Sequence, residues 1–132
     1  MTSFLDTSVV IRYLTGQLAE QLETARGIID VEDELLVTDL VLAEAAWVMR
    51  SVCRIDREDI VDGLISFLQK DNITVHGLET PLVIGALLLS RQSNRVSVAD
   101  ALLWAVARSE PEPTIFSFDR RFPSDGVAIR RS

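Results

Sequence analysis

The strongest constraint on this 132-residue chain is an alternation of short apolar runs with longer segments of helical spacing. Ser3–Leu5, Leu35–Thr38, Ile73–His76 and Thr114–Phe118 are short, apolar and bounded by turn residues, so they read as strands, with Val127–Ile129 a short fifth. Thr7–Leu14, Leu18–Ile29, Asp39–Arg50, Asp56–Gln69, Glu79–Gln92 and Ser97–Arg108 read as helices. Local signals agree: Gly16 stops the first helix, Pro81 suits a first turn, and Pro111 and Pro113 end the last helix. Strands alternating with helices predict an α/β fold, a single domain over residues 1–132 with a mainly parallel sheet covered on both faces. Ligands of such sheets bind outside the carboxyl ends of the strands, where Asp6 and Asp119 fall.

The composition, 48% hydrophobic and 25% charged, is that of a soluble globule able to bury a core without disulfides. The single cysteine, Cys53, has no internal partner, which fits a reducing compartment. The N-terminus reaches Asp6 with no basic segment, unlike a signal peptide, and Pro81–Leu89 and Val98–Ala107 are too short to span a bilayer. The expectation is a cytoplasmic protein with no membrane partner.

A net charge of −7 argues against a nucleic-acid binder, because phosphate contacts need positive charge. The distribution softens that objection. Twelve of the thirteen basic residues are arginine, suited to bidentate phosphate contacts, and several come late in the chain, Arg120 and Arg121 among them. Ordinary surface charge is the alternative reading. Divalent cations bound to carboxylates would also offset negative charge.

Most of the twenty acidic residues have polar company, but four lie in apolar stretches. Asp6 follows Phe4-Leu5, Glu44 lies within Val41–Val48, Asp100 follows Val98-Ala99, and Asp119 follows Ile115–Phe118. The linear context predicts burial, where an unpaired carboxylate costs several kcal/mol or more, roughly, unless it is neutralised, paired or bound to a metal. Each has a plainer explanation. Asp6 can cap the helix beginning at Thr7, and Asp100 fits a capping box opened by Ser97. Asp119 can begin a tight turn, and Glu44 can pair with an arginine such as Arg12. Capping and metal binding are compatible, so four acids from separate segments can still serve one pocket.

Other residue types narrow the chemistry. One histidine, His76, rules out a ribonuclease with paired imidazoles, and no Cys/His set can hold zinc. No glycine-rich phosphate loop is present. Oxygen-only ligation suits Mg²⁺ or Mn²⁺, which assist in-line phosphoryl displacement.

Leu5-Asp6-Thr7-Ser8, the internal Glu44, Val98-Ala99-Asp100-Ala101 and Ser117-Phe118-Asp119 together resemble the PIN domain, and in size and layout its VapC-type toxins of toxin–antitoxin pairs. The resemblance covers essentially the whole chain. It implies a three-layer α/β/α sandwich and an Mg²⁺- or Mn²⁺-dependent endoribonuclease. It implies Asp6 and Asp100 as principal metal ligands, with Glu44 and Asp119 acting directly or through water. Ser8 and Ser117 would hydrogen-bond within the site, Ser117 standing where the family often has threonine. Arg120 and Arg121 are first candidates for holding RNA phosphates. Implied partners are the RNA substrate, a cognate antitoxin and a second copy in a homodimer. Rival readings are a haloacid-type phosphatase, disfavoured by Ser8 where a second Asp is needed, and a receiver-like domain, disfavoured by His76 and Gly77 where the acceptor Asp belongs. A catalytically silent PIN-like module that binds RNA or protein is the rival from another class.

Overall fold

The computed structural model describes residues 2–93 and 95–131. Among these are six helices and four short strands, falling into two compact units, one running to Gly77 and one beginning at Leu78.

In the first unit the chain runs α1 (Thr7–Thr15), α2 (Ala19–Ile29), β1 (Leu35–Val37), α3 (Asp39–Ser51), α4 (Arg57–Leu68) and β2 (Ile73–Val75). Strands β1 and β2 pair in parallel, Leu35 opposite Ile73 and Val37 opposite Val75. The first expected strand is reduced to a single parallel bridge between Phe4 and Leu36. It is fixed by Leu5 N–H donating to Leu36 O at 2.9 Å and Leu36 N–H donating to Ser3 O at 2.8 Å. Pairing goes no further because the backbone turns into α1 at Asp6. Helix α1 packs on α2 and α3, α3 on α4, and α4 on β2. Alternation supplies the core: Leu35 and Val37 of β1 and Ile73 and Val75 of β2 are buried, joined by Val10, Leu42, Val61, Leu64 and Phe67 from the helices.

The helix ends follow their caps. Gly16 closes α1 at φ 69, a left-handed conformation that glycine adopts without steric cost. Leu18 was expected inside the second helix but has φ 58, so α2 starts at Ala19. Thr38 caps α3 by accepting the Val41 N–H at 3.2 Å. Asn72 ties the turn before β2 to the end of α2, its Nδ2 donating to Ile29 O at 2.7 Å and Glu32 O at 3.0 Å.

The second unit runs α5 (Thr80–Gln92), α6 (Val98–Arg108), β3 (Thr114–Phe116) and β4 (Ala128–Arg130). Pro81 lies in the first turn of α5, where its missing N–H costs no helix bond. Strands β3 and β4 pair in parallel, Phe116 opposite Arg130. The core of this unit joins Ala86, Ala101, Trp104, Ala105, Ile115 and Phe122. Trp104 Nε1 donates to Asp125 O at 2.8 Å, holding the final loop against α6. Next to it Gly126 has φ 74, and the Arg108 guanidinium fills the space a β-carbon would need.

The chain is therefore α/β, with short strands that pair in parallel, as the alternation predicts. The strands form two parallel pairs, one in each unit.

Two measurements test this packing. Asn72→Ala should lower unfolding free energy by about 1–3 kcal/mol, the usual cost of stranding backbone acceptors, as a reduced urea midpoint. A polar cluster joining α1, the end of α2 and the turn after α4 gives a pH test. Tyr13 Oη donates to Asp30 at 2.7 Å and Lys70 Nζ lies 3.1 Å from the same carboxylate. The Tyr13 bond first, then Lys70, holds Asp30 below the ordinary aspartate value of 3.8. A lowered folded-state pKa stabilises above the unfolded value and is lost as pH falls through the folded one. Asp30→Asn should thus cost about 0.5 kcal/mol at neutral pH, after discounting for solvent screening, and nothing once the wild-type carboxyl is protonated. Equal losses at both pH values would contradict the assignment.

Candidate functional site

Asp6 ends the first extended segment and caps α1. Its backbone is extended at φ −81, ψ 156, and its carbonyl already accepts the Val9 N–H at 3.1 Å. Its Oδ2 takes two bonds from Ser8, the hydroxyl at 2.7 Å and the backbone N–H at 3.2 Å. The hydroxyl bond first, then the backbone bond, holds the Asp6 carboxyl below its usual range. The group is exposed and ionised at neutral pH, at the positive end of the helix dipole.

Parallel register places α3 beside this cap. Asp6 follows Phe4 by the same interval at which Thr38 follows Leu36, and Phe4 and Leu36 are bridged. The N-caps of α1 and α3 thus share the carboxyl edge of the first unit's strands. Glu44 lies six residues beyond Thr38, about 9 Å along the axis at the helical rise. It is exposed, and within its unit no described side chain pairs with it. The Arg12 partner considered from sequence donates instead to Gln21 Oε1 at 2.6 Å.

In the second unit Asp100 is the third residue of α6 and is half-buried. Its backbone N–H donates to Ser97 Oγ at 3.0 Å, the first half of the expected capping box. Asp119 is exposed in the turn after β3. Its N–H donates to Ser117 Oγ at 3.0 Å, and its Oδ1 accepts the Arg121 N–H at 2.9 Å. Ser117 thereby shapes the turn that presents Asp119, and its own N–H donates to Arg130 O at 2.9 Å. Arg120 and Arg121 are exposed, and no salt bridge holds either guanidinium among the described residues.

The expectation of burial is corrected by this geometry. Asp6, Glu44 and Asp119 are exposed and Asp100 is half-buried. Neighbours in sequence are not neighbours in space on a helix: each residue turns by about 100° from the last. Leu42, Ala45, Ala46 and Met49 face the core, while Glu44 faces solvent with Leu40 and Trp47. Phe116 and Phe118, which make Asp119 look buried in the sequence, are themselves exposed.

The residues brought into direct contact are Asp6 with Ser8, and Asp119 with Ser117 and Arg121. Within neither unit, among the described residues, do three His, Cys, Asp or Glu side chains gather closely enough to hold a metal. The donor chemistry still fits a hard divalent cation. Mg²⁺ asks for oxygen ligands, keeps several waters, and is commonly held by one or two carboxylates with substrate phosphate completing the shell. An accessible carboxylate kept ionised by its own helix cap meets that requirement.

The PIN domain family model matches residues 3–124, a stretch that contains all four acids, Ser8, Ser117, Arg120 and Arg121. No curated protein matches the chain.

Ser8→Ala removes the shorter bond to Asp6 and keeps the backbone one. The Asp6 carboxyl pKa, followed by NMR titration, should rise toward the ordinary aspartate value; an unmoved titration would show that the hydroxyl does not set it.

Proposed function

This chain belongs to the PIN-domain family, and on that premise we propose that it is a metal-dependent endoribonuclease, the toxin of a toxin–antitoxin pair. PIN domains are generally nucleases and usually use divalent metals. The observation that carries the reading is Asp6: an exposed carboxylate at a helix N-cap, held ionised by the Ser8 hydroxyl at 2.7 Å. A purely structural cap needs only its bonds to the backbone. Here a side-chain hydroxyl also bonds the carboxylate and fixes its orientation.

In this reading residues 1–132 act as one nuclease domain. As the family implies, Asp6 and Asp100 would be the principal residues to hold Mg²⁺ or Mn²⁺, and Glu44 and Asp119 would contribute directly or through water. The cation, when bound, lowers the pKa of water and offsets charge on the phosphate oxygens. Asp100 or Glu44 takes the proton from the attacking water at a carboxylate oxygen. The water attacks phosphorus in line and the leaving oxygen departs opposite, with no covalent enzyme intermediate. Ser8 keeps Asp6 charged and oriented, and Ser117 holds the turn on which Asp119 is presented. The guanidinium groups of Arg120 and Arg121 bind the RNA backbone through charge-assisted hydrogen bonds. A cytoplasmic location, a homodimer and a cognate antitoxin belong to the same proposal. It is compatible with the helices, none of which, among the described residues, is long and apolar enough to cross a membrane.

Asp6→Asn and Asp100→Asn each remove one ligand charge at nearly constant shape. Each folded variant should lose at least about 100-fold in cleavage of RNA with Mg²⁺ or Mn²⁺, since removing one charge-stabilising group typically costs that much. Wild-type rates in both variants would sink the proposal, and a wild-type chain that binds no divalent ion would leave the silent binding module in its place.

A further inference from the structure

Asp119 stands in a segment, residues 117–127, that belongs to no helix or strand, yet both ends of its turn are fixed. The first end leaves β3, whose Ile115 shares one core with Ala101, Trp104 and Ala105 of α6. The second end is anchored on α6 at two points. Phe122, 7% exposed, lies in that same core and donates its N–H to Asp119 O at 3.3 Å. Three residues on, Asp125 O accepts the Trp104 indole N–H at 2.8 Å. Gly126 follows, seated against the Arg108 guanidinium, which lies 5.9 Å from the Trp104 ring centroid. Between the anchors Phe118, Asp119, Arg120 and Arg121 are all exposed, so they bury nothing that would hold the turn.

Trp104 also stands one turn after Asp100 on α6, which puts their β-carbons about 5–6 Å apart. One helix thus carries a candidate acid, and the indole one turn later holds the segment that carries another. We propose that Trp104 is a positioning residue: its indole bond fixes the Asp119 turn on α6, and so sets Asp119 relative to Asp100 for a shared divalent cation. The inference rests on the nuclease reading and adds to it a residue that touches neither cation nor RNA. Apolar packing of Phe122 alone is non-directional and leaves the turn free to slide. A buried indole N–H demands its acceptor, here a backbone carbonyl, and so selects one placement of the loop. Groups that orient carboxylates from outside the ligand shell typically contribute about 10- to 100-fold to metal affinity or activity.

The test is Mn²⁺ titration calorimetry on wild type, Trp104→Phe, Asp119→Asn and the double variant, each checked for folding by thermal unfolding. Trp104→Phe keeps a ring in the core and loses the donor. It should raise the Mn²⁺ Kd about 10-fold or more. The Mn²⁺ concentration for half-maximal RNA cleavage should rise with it, while kcat at saturating Mn²⁺ stays near wild type. Asp119→Asn should weaken Mn²⁺ binding, and the double variant should bind no more weakly than Asp119→Asn alone, since the two residues act as one unit. An unchanged Kd in Trp104→Phe overturns the proposal. So do additive losses in the double variant, or a lower kcat with an unmoved Mn²⁺ dependence, which are the marks of a merely structural ring. If Trp104→Phe does not fold, Gly126→Ala disturbs the same anchor from the loop side, because its β-carbon meets the Arg108 guanidinium. The same rise in Kd is expected there, and wild-type affinity overturns the proposal. Wild-type affinity in Asp119→Asn overturns the positioning role and leaves the nuclease reading on Asp6 and Asp100. Wild-type protein that binds no Mn²⁺ overturns both.

Discussion

A single parallel bridge, Phe4 against Leu36, sets the geometry of the first unit. With only three residues in each strand, there is little ladder to average over, and the register rests on a few hydrogen bonds around that bridge. A slip by one residue would turn Leu35 and Val37 from core to solvent and rotate every side chain that follows. Because the register holds, Asp6 and Thr38 emerge at the same carboxyl edge and α1 and α3 begin side by side. The chain thus reaches the edge where open α/β sheets bind ligands with one helix capped by an acid and the other carrying Glu44.

The candidate acids are not fully buried: Asp6, Glu44 and Asp119 are exposed and Asp100 is half-buried. Asp6 is solvated and held ionised by hydrogen bonds from a residue within its own helix turn. Asp119 is fixed by the N–H of Arg121 and by Ser117 in a self-contained turn. Asp100 sits in the first turn of α6, where the helix dipole favours a negative charge. Each carboxylate is therefore stabilised locally, by interactions available before any ligand arrives.

Much of this was readable from the chain. The helices lie where the apolar spacing puts them, and Gly16, Pro81 and Ser97 mark ends or starts for the reasons their chemistry dictates. Asp6, Asp100 and Asp119 take the capping and turn roles that their flanking residues allow, roles that do not compete with metal binding. What misled was linear neighbourhood. An acid flanked by valine, alanine and tryptophan looks buried on paper, yet helical rotation turns Glu44 outward while its neighbours face in. The same rotation hides Trp47 among core residues in the sequence and exposes it in the fold. The shortness of the strands was equally invisible, since where pairing stops depends on where the backbone turns into a helix, as it does at Asp6.

In the proposed reaction RNA would be cut by a water directed at phosphorus from the carboxylate set, with a divalent cation bound, and not by the RNA's own 2′-hydroxyl. The most direct measurement is the chemistry of the new RNA ends made by the purified chain with Mg²⁺ or Mn²⁺ and with EDTA. Hydrolysis of this kind gives cleavage only with the cation and products free of 2′,3′-cyclic phosphate. Cyclic phosphate ends, or equal cleavage in EDTA, would contradict it.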